Sequence, residues 1–253
     1  MQQTIINKLA EVEKEQHIQI LFACESGSRG WEFPSPDSDY DVRFIYVRPY
    51  RFYLSVLDRK YDLNFPISGE LDMYGWDLRK VLQLMKKSNT TPFEWLQSPI
   101  IYRQNADFKN DLWTLSQCYF GQRSNIHHYL GIAQGALETM GADSEIKIKK
   151  LFYVLRPLLA AKWCLEKESI APMTIGPLMT LLPAPLEKQV SELIALKSTA
   201  AEGHVIKISP ELKTYIDHEF TRINKASAHL KKDHFDADRL DEFFVNTITR
   251  YDH

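Results

Sequence analysis

An apolar, strand-like run that leads into a Gly-Ser turn constrains this chain more than any other feature. Residues 18–24 (Ile-Gln-Ile-Leu-Phe-Ala-Cys) are nearly all apolar, which is typical of a buried strand. Gly27 follows closely and can adopt backbone angles that are closed to other residues, so the chain can turn sharply and expose its N–H groups. Because exposed N–H groups and the hydroxyl of Ser28 suit phosphate oxygens, the sequence predicts a phosphate-binding turn here.

A pair of aspartates follows the turn after a short loop. Residues 39–47 alternate as a strand does, so Asp39 and Asp41 share one face, together with Arg43. Two carboxylates that close repel each other, and each raises the pKa of the other. A divalent cation relieves the repulsion, and hard oxygen ligands favour magnesium or manganese. The pattern therefore predicts Asp39 and Asp41 as metal ligands, with Arg43 as a possible ion-pair partner of one of them.

The order of strand, Gly-Ser turn, spacer and Asp-x-Asp strand resembles the DNA-polymerase-β-type nucleotidyltransferase superfamily. The residues that fit its motif are Gly27, Ser28, Asp39, Tyr40, Asp41 and Val42. Ser26 departs from the pattern, because the family usually has an apolar residue there. Three segments are similar to the bacterial predicted nucleotidyltransferases related to the RNA-ligase-associated, RNA-repair branch. They are Glu-Ser-Gly-Ser-Arg-Gly-Trp, Asp-Tyr-Asp-Val-Arg and Gly-Trp-Asp-Leu-Arg-Lys. That resemblance covers residues 18–163.

The resemblance implies a third catalytic carboxylate. Asp72 lies between Leu71 and Met73, as the family's third aspartate lies between apolar neighbours. Glu70 shares its face and is the competing candidate. Asp77 is a further candidate, but it precedes a helical pattern and is better interpreted as an N-cap. Asp39, Asp41 and Asp72 are therefore predicted as the catalytic and metal-binding residues.

The fold implied by the resemblance is of the α+β class. We expect a small mixed-sheet catalytic domain, like the polymerase-β palm, over residues 1–105 and an all-helical domain over residues 106–253. The boundary is placed in a polar stretch without periodicity at residues 103–107. Beyond it, apolar residues recur at helical spacing.

Basic residues of a predicted helix over residues 144–167 are candidates for nucleotide binding. Arg156 lies within an apolar run, where a charge needs a partner. In the resembled superfamily a basic residue of the helical domain commonly binds the triphosphate. The resemblance thus implies Lys150 and Arg156, together with Gly27 and Ser28, as nucleotide-binding residues. The alternative is that these cations belong to a solvated helix face or to a structural ion pair.

Charge, cysteine content and hydropathy argue against several other classes of protein. The formal net charge of −2 provides no global basic field, so tight non-specific binding to long nucleic acid is not implied. Cys24, Cys118 and Cys164 are odd in number and far apart, which favours reduced thiols over a disulfide framework. The sequence contains no apolar run long enough to span a bilayer. We therefore expect a cytoplasmic protein without a membrane partner.

The resulting hypothesis is a metal-dependent nucleotidyltransferase. It would transfer an NMP from an NTP, with ATP as the default donor, to a hydroxyl acceptor and release pyrophosphate. An RNA end, a protein side chain or a small molecule would each fit as acceptor. The alternative is a non-catalytic nucleotide-binding or regulatory protein that retains the fold. The sequence leaves the acceptor and the oligomeric state open.

Overall fold

The computed structural model describes residues 1–138 and 145–252. The strands, in chain order, are β1 (Gln19–Glu25), β2 (Tyr40–Val47), β3 (Asp62–Asn64), β4 (Leu71–Asp77), β5 (Ile101–Gln104), β6 (Glu145–Lys147) and β7 (Val205–Lys207). The helices are α1 (Gln2–Gln16), α2 (Gly27–Gly30), α3 (Tyr50–Tyr53), α4 (Leu78–Lys86), α5 (Thr90–Leu96), α6 (Ala106–Gln117), α7 (Gln122–Glu138), α8 (Ile148–Lys167), α9 (Ile175–Met179), α10 (Ala184–Lys197), α11 (Pro210–Ser227) and α12 (Asp238–Arg250). The chain is a mixed α/β protein, as the sequence predicts.

The chain forms two compact units that are not continuous in sequence. The first unit consists of Met1–Gly30, Asp39–Tyr119 and His234–His253, and the second of Trp31–Ser38 and Phe120–Asp233. The predicted division at residues 105 and 106 therefore differs from the observed one. A single cut in the sequence cannot represent segments that leave one unit and later return to it.

Particular contacts explain why the first unit extends past the predicted boundary. Phe108 of α6 packs against Phe243 of α12, with ring centroids 6.0 Å apart. Arg250 of α12 forms an ion pair with Asp107 at 3.2 Å. The C-terminal helix thus belongs to the sheet-containing unit, although more than a hundred residues separate it from the rest of that unit in the chain.

A five-stranded sheet forms the centre of the first unit. Its strand order is β3-β4-β2-β1-β5; β2 and β4 are parallel, and the remaining neighbours are antiparallel. The sheet is therefore mixed, as predicted. The middle of β1 is buried, as its continuous apolar run indicates. Helix α1 packs its apolar stripe of Ile5, Leu9 and Val12 into the same core as the inner residues of β2.

The second unit is helical around α7, α8 and α11, apart from the short antiparallel pair of β6 and β7. Its core includes Leu151, Phe152 and Leu155 of α8, which accounts for the apolar run seen in the sequence. The start of the predicted helix, at Ser144, lies outside the described residues. Within them, strand β6 precedes α8, which begins at Ile148.

Among the helices of the described residues, none combines the length and the apolar character needed to cross a membrane.

Candidate active site

The parallel pairing of β2 with β4 places two of the predicted aspartates opposite each other. Asp41 is the Cα partner of Asp72 in the register of this pair. Both side chains are partly exposed, with relative accessibilities of 25% and 29%. They lie on one face of the sheet, because the guanidinium of Arg43 reaches both carboxylates. Two residues that are 31 positions apart in sequence thus form one acidic site.

Arg43 is the cation that this pair of carboxylates shares. Its Nη2 donates to Asp41 Oδ1 at 2.8 Å and to Asp72 Oδ2 at 2.7 Å. Its Nη1 donates to the backbone carbonyls of Val42 and Asp72, at 3.1 and 3.0 Å. The predicted pairing of Arg43 with an aspartate is confirmed and extends to two of them. A positive group between two carboxylates identifies this point as one that favours a cation.

Gly27 brings the backbone against Asp41. It begins α2 directly after β1 and has φ +56°, a left-handed conformation that side chains rarely adopt. A Cβ atom there would lie 1.9 Å from Oδ2 of Asp41, so no other residue fits without displacing that carboxylate. Ser26 N–H donates to the carbonyl of Asp41 at 2.8 Å and ties the turn to β2. Ser28 is nearly buried in this turn, at 4% exposed, and its phosphate contact stays a prediction.

Asp39 precedes β2 instead of beginning it, and its side chain is exposed. Its backbone carbonyl accepts from Nε of Arg29 at 3.2 Å, and that guanidinium lies 4.0 Å from the ring centroid of Tyr40. In the described part of the chain, no three His, Cys, Asp or Glu side chains are arranged to hold a metal ion. The structure thus brings Asp41 and Asp72 together, whereas the full set of three carboxylates stays a prediction.

Glu25 is a site residue that the sequence reasoning missed. It is fully buried at the end of β1, and its Oε1 accepts from the backbone N–H of Asp41 at 2.6 Å. Its Oε2 accepts from the hydroxyl of Tyr102, and its own carbonyl accepts from Ser98 Oγ at 2.6 Å. Burial raises the pKa of the Glu25 carboxyl, while the hydrogen bonds from Tyr102 and Asp41 lower it. The signal in the sequence was a charged residue at the end of an apolar strand.

Glu70 and Asp77, the two alternatives to Asp72, are not part of the pair formed by Asp41 and Asp72. Glu70 is exposed and precedes β4, where its carbonyl accepts from Tyr40 N at 2.7 Å. Asp77 is fully buried at the far end of β4 and caps α4, accepting from Arg79 N at 2.9 Å. The N-cap prediction is thus confirmed. Tyr53 donates its hydroxyl to the other oxygen of Asp77, and burial raises the pKa of this carboxyl to about 6.

The predicted helical-domain cations, Lys150 and Arg156, lie on α8 of the second unit. Arg156 is 2% exposed, and its Nε and Nη2 donate to the carbonyl of Met173 at 3.1 and 2.9 Å. Its guanidinium carbon lies 4.7 Å from the ring centroid of Trp31. The partner that its apolar surroundings required is thus found within the second unit. Nucleotide binding by Lys150 and Arg156 stays a prediction.

The mixed sheet, the glycine turn after β1 and the facing aspartates on β2 and β4 are features of the nucleotidyltransferase-like proteins. A family model described as "RNA repair pathway DNA polymerase beta family" (RlaP) matches residues 1–246. The chain belongs to this family, as its sequence motifs predict. Membership supports a general role in nucleotidyl transfer.

The proteins that are similar to this chain include a Bacillus relative and a protein of solved structure. An uncharacterized protein of Bacillus subtilis (strain 168), YcgL, is 37% identical over 251 residues, which cover 98% of this chain and 96% of that protein. A solved structure of a nucleotidyltransferase-like protein from Exiguobacterium sibiricum 255-15 is 9% identical and aligns with 88% of this chain and 74% of its own, at a TM-score of 0.33. The family match and the Bacillus relative cover the two units alike.

Proposed function

We propose that this protein is a metal-dependent nucleotidyltransferase that transfers an NMP from an NTP to a hydroxyl acceptor. One observation carries the proposal: the β2–β4 register sets Asp41 opposite Asp72 beside the glycine turn of α2. ATP is the default donor. RNA is the acceptor to test first, because the printed description of the family refers to RNA repair.

The oxygen donors of this site suit a hard divalent cation such as Mg²⁺ or Mn²⁺. The pair Asp41 and Asp72 shares one positive group, the Arg43 guanidinium, which a metal would have to displace from the carboxylate oxygens. Asp39 and Asp41 would hold the metal together with the nucleotide, and Asp72 would complete the metal site at the acceptor hydroxyl. When bound, the metal would neutralise phosphate charge and lower the pKa of an acceptor hydroxyl.

The residues of the chain supply the rest of the chemistry. The acceptor oxygen attacks the α-phosphorus and forms a new P–O bond. The bond to the bridging oxygen breaks, and its electron pair leaves with pyrophosphate. Asp72 takes the proton of the acceptor hydroxyl. Gly27 and Ser28 bind the β- and γ-phosphates, and Glu25 fixes the backbone that carries Asp41, so that positioning supplies much of the rate.

A transfer assay tests the proposal. Purified protein is incubated with Mg²⁺, each α-labelled NTP in turn, and synthetic RNA that ends in a 3′-hydroxyl or in a 3′-phosphate. We expect label to enter the RNA with the free hydroxyl. Asp41→Asn removes a proposed ligand, and Asp58→Asn is its matched control, because Asp58 is an exposed aspartate outside the site. Label in no acceptor, or equal labelling by the Asp41 variant, would contradict the proposal.

A non-catalytic nucleotide-binding protein is the second candidate, and the Arg43 bridge is the observation that favours it. A guanidinium that holds both carboxylates leaves no need for a metal. This candidate predicts that labelled NTP binds the protein, that EDTA leaves the affinity unchanged, and that no acceptor becomes labelled. The assay above with added EDTA separates the two candidates.

A further inference from the structure

A second site lies in the first unit, at the end of the sheet away from the aspartates. A cavity of about 640 Å³ is bordered there by the C-terminal end of α1, the start of β1 and the residues that follow β2. In the β1–β2 pair, Gln19 is the partner of Val47, and both border the cavity. Val47 is six residues beyond Asp41 on β2, which corresponds to about 20 Å along a strand. The cavity is therefore separate from the proposed catalytic residues.

Positive charge prevails around this cavity. Lys14, His17, Arg48 and Arg103 border it, and Glu13 is the acidic residue among its lining side chains. Glu13 is already engaged: one carboxylate oxygen accepts from Arg103, and the other accepts from the backbone N–H of Ile20 at 2.7 Å. Its charge is thus matched by Arg103. Lys14 has no acidic ion-pair partner among the residues that the structure describes, whereas the charge of Arg48 acts on the buried carboxylate of Asp77.

Arg48 is fixed in place with an unused donor. Its Nη1 donates to the carbonyl of Gln16 at 3.2 Å, and its guanidinium carbon lies 4.7 Å from the ring centroid of Phe52 and 5.4 Å from that of Tyr46. Its Nε is buried and has no acceptor among the described residues, and the same holds for the hydroxyl of Tyr251, which also borders the cavity. A donor of this kind is costly to leave unpaired. Acceptor oxygens of a ligand in the cavity would satisfy the side chains of Arg48 and Tyr251.

We infer that this cavity binds a phosphate group carried by a nucleotide, free or at the end of a nucleic-acid strand. A phosphate offers several strong acceptor oxygens to Arg48 and to Tyr251, and its negative charge matches Lys14 and Arg48. The volume lies within the range of small-ligand sites. The site would hold a phosphate at a fixed distance from the catalytic end of the same unit, independently of any metal.

Binding measured in the presence of EDTA tests this site without contribution from a metal centre. Isothermal titration calorimetry with pyrophosphate, AMP, adenosine, and an oligoribonucleotide with or without a 5′-phosphate is the main experiment. We expect the phosphate-bearing compounds to bind and adenosine not to bind. Tighter binding of AMP identifies free nucleotide as the source, and tighter binding of the phosphorylated oligomer identifies a strand end.

Three variants define the location. Arg48→Gln should weaken AMP or pyrophosphate binding by about tenfold or more, because a charge-assisted contact is lost. Lys14→Gln, at an exposed position, should weaken it by a smaller factor without affecting folding. Lys8→Gln is the matched control: Lys8 is on the same helix, is paired with Glu11 and lies outside the cavity.

Two results would overturn the assignment. One is no saturable binding of any phosphate compound to the wild-type protein up to about 10 mM, a range that includes even weak specific sites. The other is equal weakening by Lys14→Gln and Lys8→Gln, which would show a general effect of surface charge. Asp72→Asn should leave this binding unchanged, so that failure of the catalytic proposal does not affect the result.

Discussion

The two ends of strand β4 carry aspartates with opposite characters. Asp72, near its start, is partly exposed and bonded to Arg43, opposite Asp41. Asp77, at its end, is fully buried, caps α4 and accepts from Tyr53. Both residues are aspartates of the same strand, but they differ in solvent exposure and in hydrogen-bond partners. The first arrangement leaves a carboxylate accessible to a ligand, whereas the second uses it entirely within the protein.

The largest expected effect is on turnover, at the Asp72 end. Asp72→Asn should lower the rate of nucleotidyl transfer by about 100-fold or more, because general-base contributions are of that size. Nucleotide affinity should change little, since the proposed work of Asp72 is on the acceptor hydroxyl in the transition state. Steady-state rates and nucleotide titrations on the same preparation measure both. Full activity of Asp72→Asn would show that Asp72 has no catalytic role.

The next effect is on stability, at the Asp77 end, and depends on pH. The pKa of Asp77 is about 6 in the folded protein against an ordinary value of 3.8, so the folded state binds this proton more tightly. Protonation of Asp77 therefore stabilises the folded state at low pH, and this stabilisation is lost as the pH rises from about 4 through about 6.

Asp77→Asn removes this titration and retains an acceptor for Arg79 N–H. The variant should become more stable relative to wild type as the pH rises across that window, by at most about 3 kcal/mol. Denaturant unfolding of both proteins at pH 4.5 and 7 measures the change. A difference in unfolding free energy that stays constant between the two pH values would show that Asp77 keeps its ordinary pKa.

A third prediction concerns the cation between the carboxylates. Arg43→Gln should lower the unfolding free energy by roughly 1.5–3 kcal/mol without metal, because charge-assisted hydrogen bonds are lost and two carboxylates then face each other. Mn²⁺ should restore more stability in this variant than in wild type, since no guanidinium competes for the oxygens. Thermal unfolding with and without Mn²⁺ provides the comparison. No gain from Mn²⁺ in either protein would argue against a metal at Asp41 and Asp72.

The smallest effect is the loss of the helix cap itself. Asp77→Ala leaves Arg79 N–H and the Tyr53 hydroxyl without their acceptor, at a cost of about 0.5–2 kcal/mol. Activity below the melting range should stay near that of wild type. Melting temperature and transfer rate, measured on one sample, check both. If Asp77→Ala were inactive but fully stable, the catalytic role would belong to Asp77 and not to Asp72.

The sequence alone determined the local chemistry of the proposed site. The apolar run before Gly27, the alternation around Asp41 and the helix pattern after Asp77 each depend on neighbours in the chain. Local patterns of this kind follow from backbone geometry and side-chain direction. They were sufficient to predict the mixed sheet, the family and the N-cap, and to place Arg43 on the face of the aspartates.

Only the tertiary structure decided which distant residues meet. The parallel β2–β4 register that sets Asp72 opposite Asp41, and the burial of Glu25 under the Asp41 backbone, depend on strand pairing across long separations. The return of α12 to the first unit and the assignment of residues 31–38 to the second are of the same kind. Such contacts arise from packing of the whole chain, and no periodicity near any one residue encodes them.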